Sequence, residues 1–358
     1  MLRNIYFCTV LKGKMKFVNV TDKNFEDIFE VSAKYEQWEY VKHHIFDMVD
    51  NYVAVVNEAY LPIPFLVYED SKIVGYVQVN CNGERYEICK LIVHESEQNK
   101  RYGTKILSEV MKWLSIQFGQ GTVTASYKAS NLAADKLFSN AGFDRETTER
   151  EVSVSRKLPC CGTALPESEF EKIPYAAVGE FVGKIKESKK YPENIIGDEK
   201  GVHFEKISTE HAGKIIAMQL LESQEDFVMP FVDSLAESFS DLFEDEITVT
   251  YALCHGGSPV GLVEIRYVKG EAHPGLEEKM VYELFRILVD KAYQKNGYGT
   301  QAIRLFLDYV KKKPLGDAAA VLVSVVDGNE VALRLYERFG FGIIGRDKYG
   351  HIVLAQEL

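Results

Sequence analysis

The chain repeats itself. Gly103 recurs as Gly299 after 196 positions, Asn131 as Asn329 after 198, and the pair Gly142-Phe143 as Gly340-Phe341 after 198. A fourth segment, Gln37-Trp38-Glu39-Tyr40-Val41, aligns with Gln224-Glu225-Asp226-Phe227-Val228 at a shift of 187. Unrelated segments would not keep step in this way, so the offsets require two copies of one fold. At 358 residues the chain is long for one domain and comfortable for two. The copies are expected at 16–157 and 201–358. The linker between them, 158–200, carries Pro159, Pro166, Pro174, Pro192 and the charged run from Lys184 to Lys190. Within it, 170–185 has the spacing of a helix.

Both copies read in the same order. In the first, a strand over 16–20 meets a helix cap at Thr21-Asp22, followed by Phe25, Ile28, Phe29 and Val31 at helical spacing. A second helical region is expected over 35–56, with Trp38, Val41, Ile45, Met48 and Val49 on one stripe. Strands follow at 65–68 and 73–80, and Asn82-Gly83 turns the chain into 86–93. A helix holding Ile106, Leu107, Val110, Met111 and Leu114, a strand at 122–126, a helix from Asn131 and a strand at 152–155 complete the half. In the second, Ser208-Thr209 caps a helix with Ile215, Ile216, Met218 and Leu220. Strands at 248–254 and 260–268 flank the turn from His255 to Ser258. A strand over 281–289, another at 321–326, a helix at Asn329 and a hairpin over 345–354 follow. Strands and helices so interleaved make an α/β, mixed α+β, chain.

Chemistry concentrates where the strand over 281–289 ends. Gln294-Lys295-Asn296-Gly297-Tyr298-Gly299 forms a Q-x-x-G-x-G turn, and from Thr300 the residues Ile303, Phe306, Leu307 and Val310 recur at helical spacing. Glycines there let backbone approach a ligand, and the amides at a helix start suit a phosphate. No G-K-S/T follows, so this is no Walker loop, and it is not the G-x-G-x-x-G dinucleotide turn.

The turn resembles motif A of the GNAT superfamily of N-acetyltransferases. The run from Asn329 to Phe341 likewise resembles that family's N-x-x-A-x-x-x-Y-x-x-x-G-F signature. The resemblance implies two tandem domains, each a mixed, mostly antiparallel sheet flanked by helices, and acetyl-CoA as co-substrate. It places the pantetheine arm along Leu288 and Val289, and the pyrophosphate on Gln294, Lys295, Asn296, Gly297, Tyr298, Gly299 and Thr300. Asn329 joins this cofactor set, and Tyr336 stands where the family keeps its general acid. An amine acceptor needs a base for its proton; Glu283 is the first candidate and Glu264 the second. In the first copy Arg101 replaces Gly297 and Phe138 replaces Tyr336, so that copy is expected to be degenerate and the second catalytic.

For the acceptor, 203–354 resembles bacterial diamine and spermidine/spermine N-acetyltransferases through Gln224 to Pro230, Ser234 to Glu237 and Tyr282 to Arg286. Phe231 departs from the asparagine those relatives often carry. Glu222, Glu225, Asp226, Glu237 and Asp241 fall where the acceptor groove would run, and they suit a polyamine or a solvated helix face. A small primary amine is expected; an aminoglycoside, a peptide N-terminus and a non-catalytic acyl-CoA module are the alternatives. The net charge of -11 argues against nucleic-acid binding. Six cysteines without C-x-x-C spacing read as reduced thiols in a cytoplasmic protein. Eight histidines show no H-E-x-x-H, so no metal is expected. No membrane partner is expected, because no apolar run reaches the roughly 20 residues of a span. Monomer and homodimer both stay open. Residues 1–14 fit an extra strand, a tail or translation from an upstream start, with Met15 opening the domain.

Overall fold

The computed structural model describes residues 15–21, 23–37, 39–40, 43–158, 193–242, 247–270 and 275–358. The expectations for residues 1–14, Asp22, Trp38, Val41, Cys160-Cys161, the linker prolines and the helix over 170–185 lie outside them. The chain divides into two compact units: residues 1–47 with 58–186, and residues 48–57 with 187–358. Among the described residues no helix is long and apolar enough to cross a membrane.

The first unit is built on a seven-stranded sheet in the order β1-β2-β3-β4-β5-β7-β6. Its strands are β1 (Met15–Asn19), β2 (Leu61–Glu69), β3 (Lys72–Asn82), β4 (Arg85–Val93), β5 (Thr122–Lys128), β6 (Asp144–Thr147) and β7 (Glu151–Lys157). Helix α1 (His44–Val56) precedes β2, α2 (Tyr102–Phe118) joins β4 to β5, and α3 (Leu132–Asn140) follows β5. The second unit repeats this plan on eight strands ordered β14-β15-β13-β12-β11-β10-β9-β8. These are β8 (Ile195–Gly197), β9 (Val202–Lys206), β10 (Ile247–His255), β11 (Ser258–Lys269), β12 (Met280–Val289), β13 (Ala320–Val325), β14 (Gly342–Arg346) and β15 (Ile352–Glu357). Its helices are α4 (Thr209–Ile215), α5 (Phe231–Asp241), α6 (Tyr298–Val310) and α7 (Glu330–Arg338). Residues 48–57 pack in this unit, where the Tyr52 hydroxyl accepts a hydrogen bond from Thr250 N at 3.1 Å.

Every strand pair is antiparallel except β4 with β5 and β12 with β13. The expected mixed, mostly antiparallel architecture is therefore what forms. Alternation along β9 to β13 puts Phe204, Tyr251, Leu253, Val263, Ile265, Leu284 and Val323 on one face, where they bury Ile303, Phe306 and Val310 of α6 and Tyr336 of α7. α5 covers the opposite face, its Ser238 hydroxyl 2.8 Å from that of Thr250 on β10.

Local structure departs from the sequence pattern at chain bends. The helix expected over 35–56 is a 3₁₀ turn at Tyr35–Gln37 and then α1. Gln37 Oε1 accepts from Lys34 N and closes the turn, while His43 Nδ1 accepts from Ile45 N and starts the helix anew. The segment after Thr21 is likewise a 3₁₀ turn, Glu26–Glu30. α4 stops at Ile215, because Ala217 N and Met218 N bond three residues back and tighten the last turn. Its apolar continuation, Met218 and Leu220, belongs to a loop.

Two interior glycines answer to close backbone approach. A Cβ on Gly261 would lie 2.0 Å from the carbonyl oxygen of Leu288, and one on Gly75 would lie 2.4 Å from that of Ile92. Gly261→Ala should therefore lower stability by about 1–3 kcal/mol through overpacking. Gly299→Ala, where a Cβ meets nothing within 4 Å, should not. Urea midpoints of the two variants test this; equal midpoints would remove the proposed close approach.

Candidate functional site

Strand β12 keeps both neighbours for only part of its length. It pairs with β13 through Val281, Tyr282 and Glu283, and with β11 all the way to Val289. Beyond Glu283 the edge that faced β13 carries no ladder among the described residues, so its backbone groups are open to an extended ligand. Leu288 and Val289 lie on that stretch.

The chain then turns into α6. Lys295 adopts φ 65° and Gly297 φ 78°, the latter as the N-cap of the helix. Gln301 N bonds Gly297 O at 3.0 Å as the first turn of the helix closes, so the amides of Tyr298, Gly299 and Thr300 have no intrahelical partner. With the positive end of the helix dipole, they form a cradle for an anion. Gln294 shapes the cradle: its Nε2 donates to Val289 O at 2.9 Å and to Gln224 Oε1 at 2.7 Å, fastening the turn to the end of β12 and to the loop before α5. Asn296 Nδ2 donates to Tyr293 O and Gln294 O. The Tyr298 hydroxyl lies 3.4 Å from His255 Nδ1. Asn329 is the N-cap of α7, its Oδ1 accepting from Ala332 N at 3.2 Å. Tyr336 belongs to the core cluster that also holds Ala302, Ile303 and Val323, is 7% exposed, and burial pushes its phenol well up, so the hydroxyl keeps its proton.

On the opposite face of the sheet lies a cluster of charges. Glu264, fully buried, accepts from Arg286 Nη1 at 2.7 Å and from Arg266 Nε at 3.3 Å. Arg286 also bonds Glu237, and Arg266 bonds Asp241, both on α5. Burial works against the charge of Arg286, but Glu264 and Glu237 outweigh it and raise its pKa. Phe285, the extra residue of a bulge opposite Glu264 and Ile265, lies under Arg266 with 3.3 Å from guanidinium to ring centroid. Glu283 stands directly across the ladder from Arg266 and is 8% exposed. Glu264 is thus held by two guanidinium groups, and Glu283 lies on the same face as that cluster.

Near the end of β12 a cleft of 690 Å³ opens, lined by Met218, Gln219, Leu220, Glu222, Glu225, Pro230, Phe231 and Lys291. Lys291 closes one rim, its N bonding Gln219 O at 2.8 Å and its ammonium bonding Gln219 Oε1. Among the described residues neither Glu222 nor Glu225 has an ion-pair partner. Sequence reasoning singled out both carboxylates but missed the roles of Gln219 and Lys291, which no motif marks.

Residues 25–143 and 216–341 each match the acetyltransferase (GNAT) family. Over 113 residues the chain is 31% identical to a probable spermine N(1)-acetyltransferase of Bacillus subtilis subsp. natto, and 30% identical to the spermine/spermidine N(1)-acetyltransferase of Bacillus subtilis strain 168. Each alignment covers 29% of this chain and 73% of the relative. Among solved structures, the spermidine N-acetyltransferase of Vibrio cholerae in complex with CoA and spermine is 12% identical, covering 40% of this chain and 96% of that one at a TM-score of 0.34. The PaiA N-acetyltransferase of Thermoplasma acidophilum in complex with coenzyme A is 15% identical, with 40% and 98% covered at a TM-score of 0.33.

The charge cluster makes a stability prediction. Arg286→Met should destabilise the second unit by about 3–5 kcal/mol, because it removes the nearer of the two guanidinium partners of the buried Glu264 carboxylate. Adding Glu264→Gln should return part of that loss. Chemical denaturation of both variants measures it, and a double variant no more stable than the single one would contradict the pairing.

Proposed function

This chain belongs to the acetyltransferase (GNAT) family of N-acetyltransferases, and from that premise we propose that its second unit moves an acetyl group from acetyl-CoA to a primary amine of a small polyamine. The observation that carries this is a conjunction within one unit: a β12 edge free beyond Glu283, a glycine-bearing turn opening α6, and the buried phenol of Tyr336.

In this scheme the pantetheine arm bonds the free edge at Leu288 and Val289, and the pyrophosphate takes the amides of Tyr298, Gly299 and Thr300. Lys295 and Asn296 flank it, while Gln294 and Asn329 hold the turn and α7 in shape. Glu283, through water, accepts the proton of the ammonium acceptor, since a primary amine is mostly protonated near neutral pH. The amine nitrogen then attacks the thioester carbonyl. As the C–N bond forms and the C–S bond breaks, Tyr336 gives its proton to the departing thiolate. A phenol kept protonated by burial suits that role.

Glu222 and Glu225 support a polycationic acceptor, since two unpaired carboxylates in a cleft attract a second ammonium at a distance from the reacting one. The Bacillus relatives, a probable spermine and a spermine/spermidine N(1)-acetyltransferase, point the same way. The first unit, with Arg101 at its turn and Phe138 stacked on Tyr127 and edge-to-face with Phe143, is assigned no transfer.

Release of CoA thiol from acetyl-CoA, measured across spermine, spermidine, a diamine, an aminoglycoside and a peptide N-terminus, tests the acceptor class; turnover confined to the last two would overturn the polyamine assignment. Tyr336→Phe should lower kcat by about 10²–10⁴-fold with little change in KM for acetyl-CoA. Undiminished turnover in that variant would remove the proposed acid. Glu283→Gln should lose activity at neutral pH and recover it as pH rises toward the amine's own pKa, where free amine no longer needs a base. A flat ratio of variant to parent rates across pH would rule Glu283 out.

A further inference from the structure

The β9–β10 pair of the second sheet holds a group of side chains that the transfer reaction does not use. In the β9–β10 ladder, His203 is paired with Cys254 and Glu205 with Ala252. Phe204, Tyr251 and Leu253 turn to the main core, so His203, Glu205 and Cys254 share the other face, beneath α4. His203 is 1% exposed and Cys254 is fully buried. One donor atom from each of the three lies within 4.8 Å of the other two. A second imidazole comes from α4: His211 Nε2 lies 3.8 Å from Glu205 Oε2, while His203 Nε2 lies 3.6 Å from the same oxygen.

Those separations are too long for hydrogen bonds. They do match two ligands of one cation, since bonds of about 2.0–2.3 Å in a tetrahedral zinc site set donors roughly 3.3–3.8 Å apart. The tautomers agree. His203 Nδ1 lies 3.2 Å from the carbonyl of Gly201, to which it can only donate, so in the neutral imidazole the lone pair is on Nε2, the nitrogen nearer the carboxylate. A ligating histidine characteristically has its other ring nitrogen tied to a carbonyl in this way. His211 has two choices: Nδ1 accepts from Ser208 N or donates to Lys206 O, each at 3.4 Å. The second frees Nε2 as a ligand.

We propose that His203, Glu205 and Cys254, joined by His211, form a zinc site that fastens α4 to the β9–β10 pair. Sulfur, imidazole and carboxylate together suit Zn²⁺ rather than Mg²⁺ or Ca²⁺. Closing from the present separations requires movements on the order of 1 Å. Glu205, whose side chain is 33% exposed, gives the ion its route. The role is structural: α4 runs into Met218, Gln219 and Leu220 of the cleft, so the metal stiffens one wall of the acceptor site without entering the chemistry. The site stands independently of the acetyl-transfer scheme and adds a metal that the histidine and cysteine spacing did not suggest.

The test uses the full chain, stripped with a chelator and titrated anaerobically with Co²⁺ and then Zn²⁺. One equivalent of Co²⁺ should give a thiolate-to-cobalt charge-transfer band and tetrahedral d–d absorption. Zn²⁺ should abolish both and raise the thermal midpoint. A variant with the other five cysteines changed to serine should keep the band, and Cys254→Ser should lose it. If Cys254→Ser does not fold, Glu205→Gln replaces it, with an expected loss of at least tenfold in Zn²⁺ affinity. A band that survives Cys254→Ser, unchanged affinity in Glu205→Gln, or a weak octahedral spectrum without a charge-transfer band would each overturn the site.

Discussion

Three residue pairs of parallel ladder decide where this fold can act. β12 is tied to β13 only from Val281 to Glu283, yet remains tied to β11 to its end. A strand held on one side and released on the other has to bend, and the bulge at Phe285 supplies the bend. The first unit meets the same constraint in the same way: β4 pairs with β5 from Arg85 to Glu87 only, and a register shift leaves Cys89 unpaired opposite Gln78 and Val79. The acetyl-transfer scheme proposed for the second unit uses this opening, because an extended ligand needs an unpaired strand edge and the parting is the device that makes one inside a sheet. The guanidinium groups of Arg266 and Arg286, with Glu264, Glu237 and Asp241, fill the bulge face with mutual charge. Such a cluster fixes geometry more than it adds stability, since burying the ions offsets most of their attraction.

Much of this was legible in the sequence. The repeat showed two copies, apolar runs located β10 to β13, and the Asn at the head of each signature helix is the cap its residue type suggests: Asn131 for α3 and Asn329 for α7. What escaped was of two physical kinds. Elements whose ends are set by local hydrogen bonds, side chain to backbone at the turn closed by Gln37 and backbone to backbone at the short α4, look like longer helices when only apolar periodicity is read. Residues whose work depends on a partner distant in sequence leave no local trace: Gln294 with Gln224, Lys291 with Gln219, and the close approach at Gly261. His203, Glu205, His211 and Cys254 belong to that second kind, since only the β9–β10 register brings a histidine opposite a cysteine half a hundred residues away.

The two turns show how one backbone design can be turned toward or away from an anion. In each unit a glutamine pins the turn to the end of its strand, Gln98 to Val93 O at 3.1 Å and Gln294 to Val289 O at 2.9 Å, and each also reaches a second glutamine, Gln37 or Gln224. The N-cap is left-handed in both, but Gly297 takes that conformation without strain, whereas Arg101 at φ 66° takes it against its own Cβ. The residue before the glutamine differs more sharply in chemistry. Tyr293 is neutral, while Glu97 is an anion, held down to about 2 by hydrogen bonds from Lys72 and Lys100. Two lysines that would otherwise favour a phosphate are thereby bound to a carboxylate of the protein's own. With a phenylalanine in place of the phenol as well, the first turn keeps the architecture of the second but lacks its glycine and its acid, which is why the donor chemistry is assigned to the second unit alone.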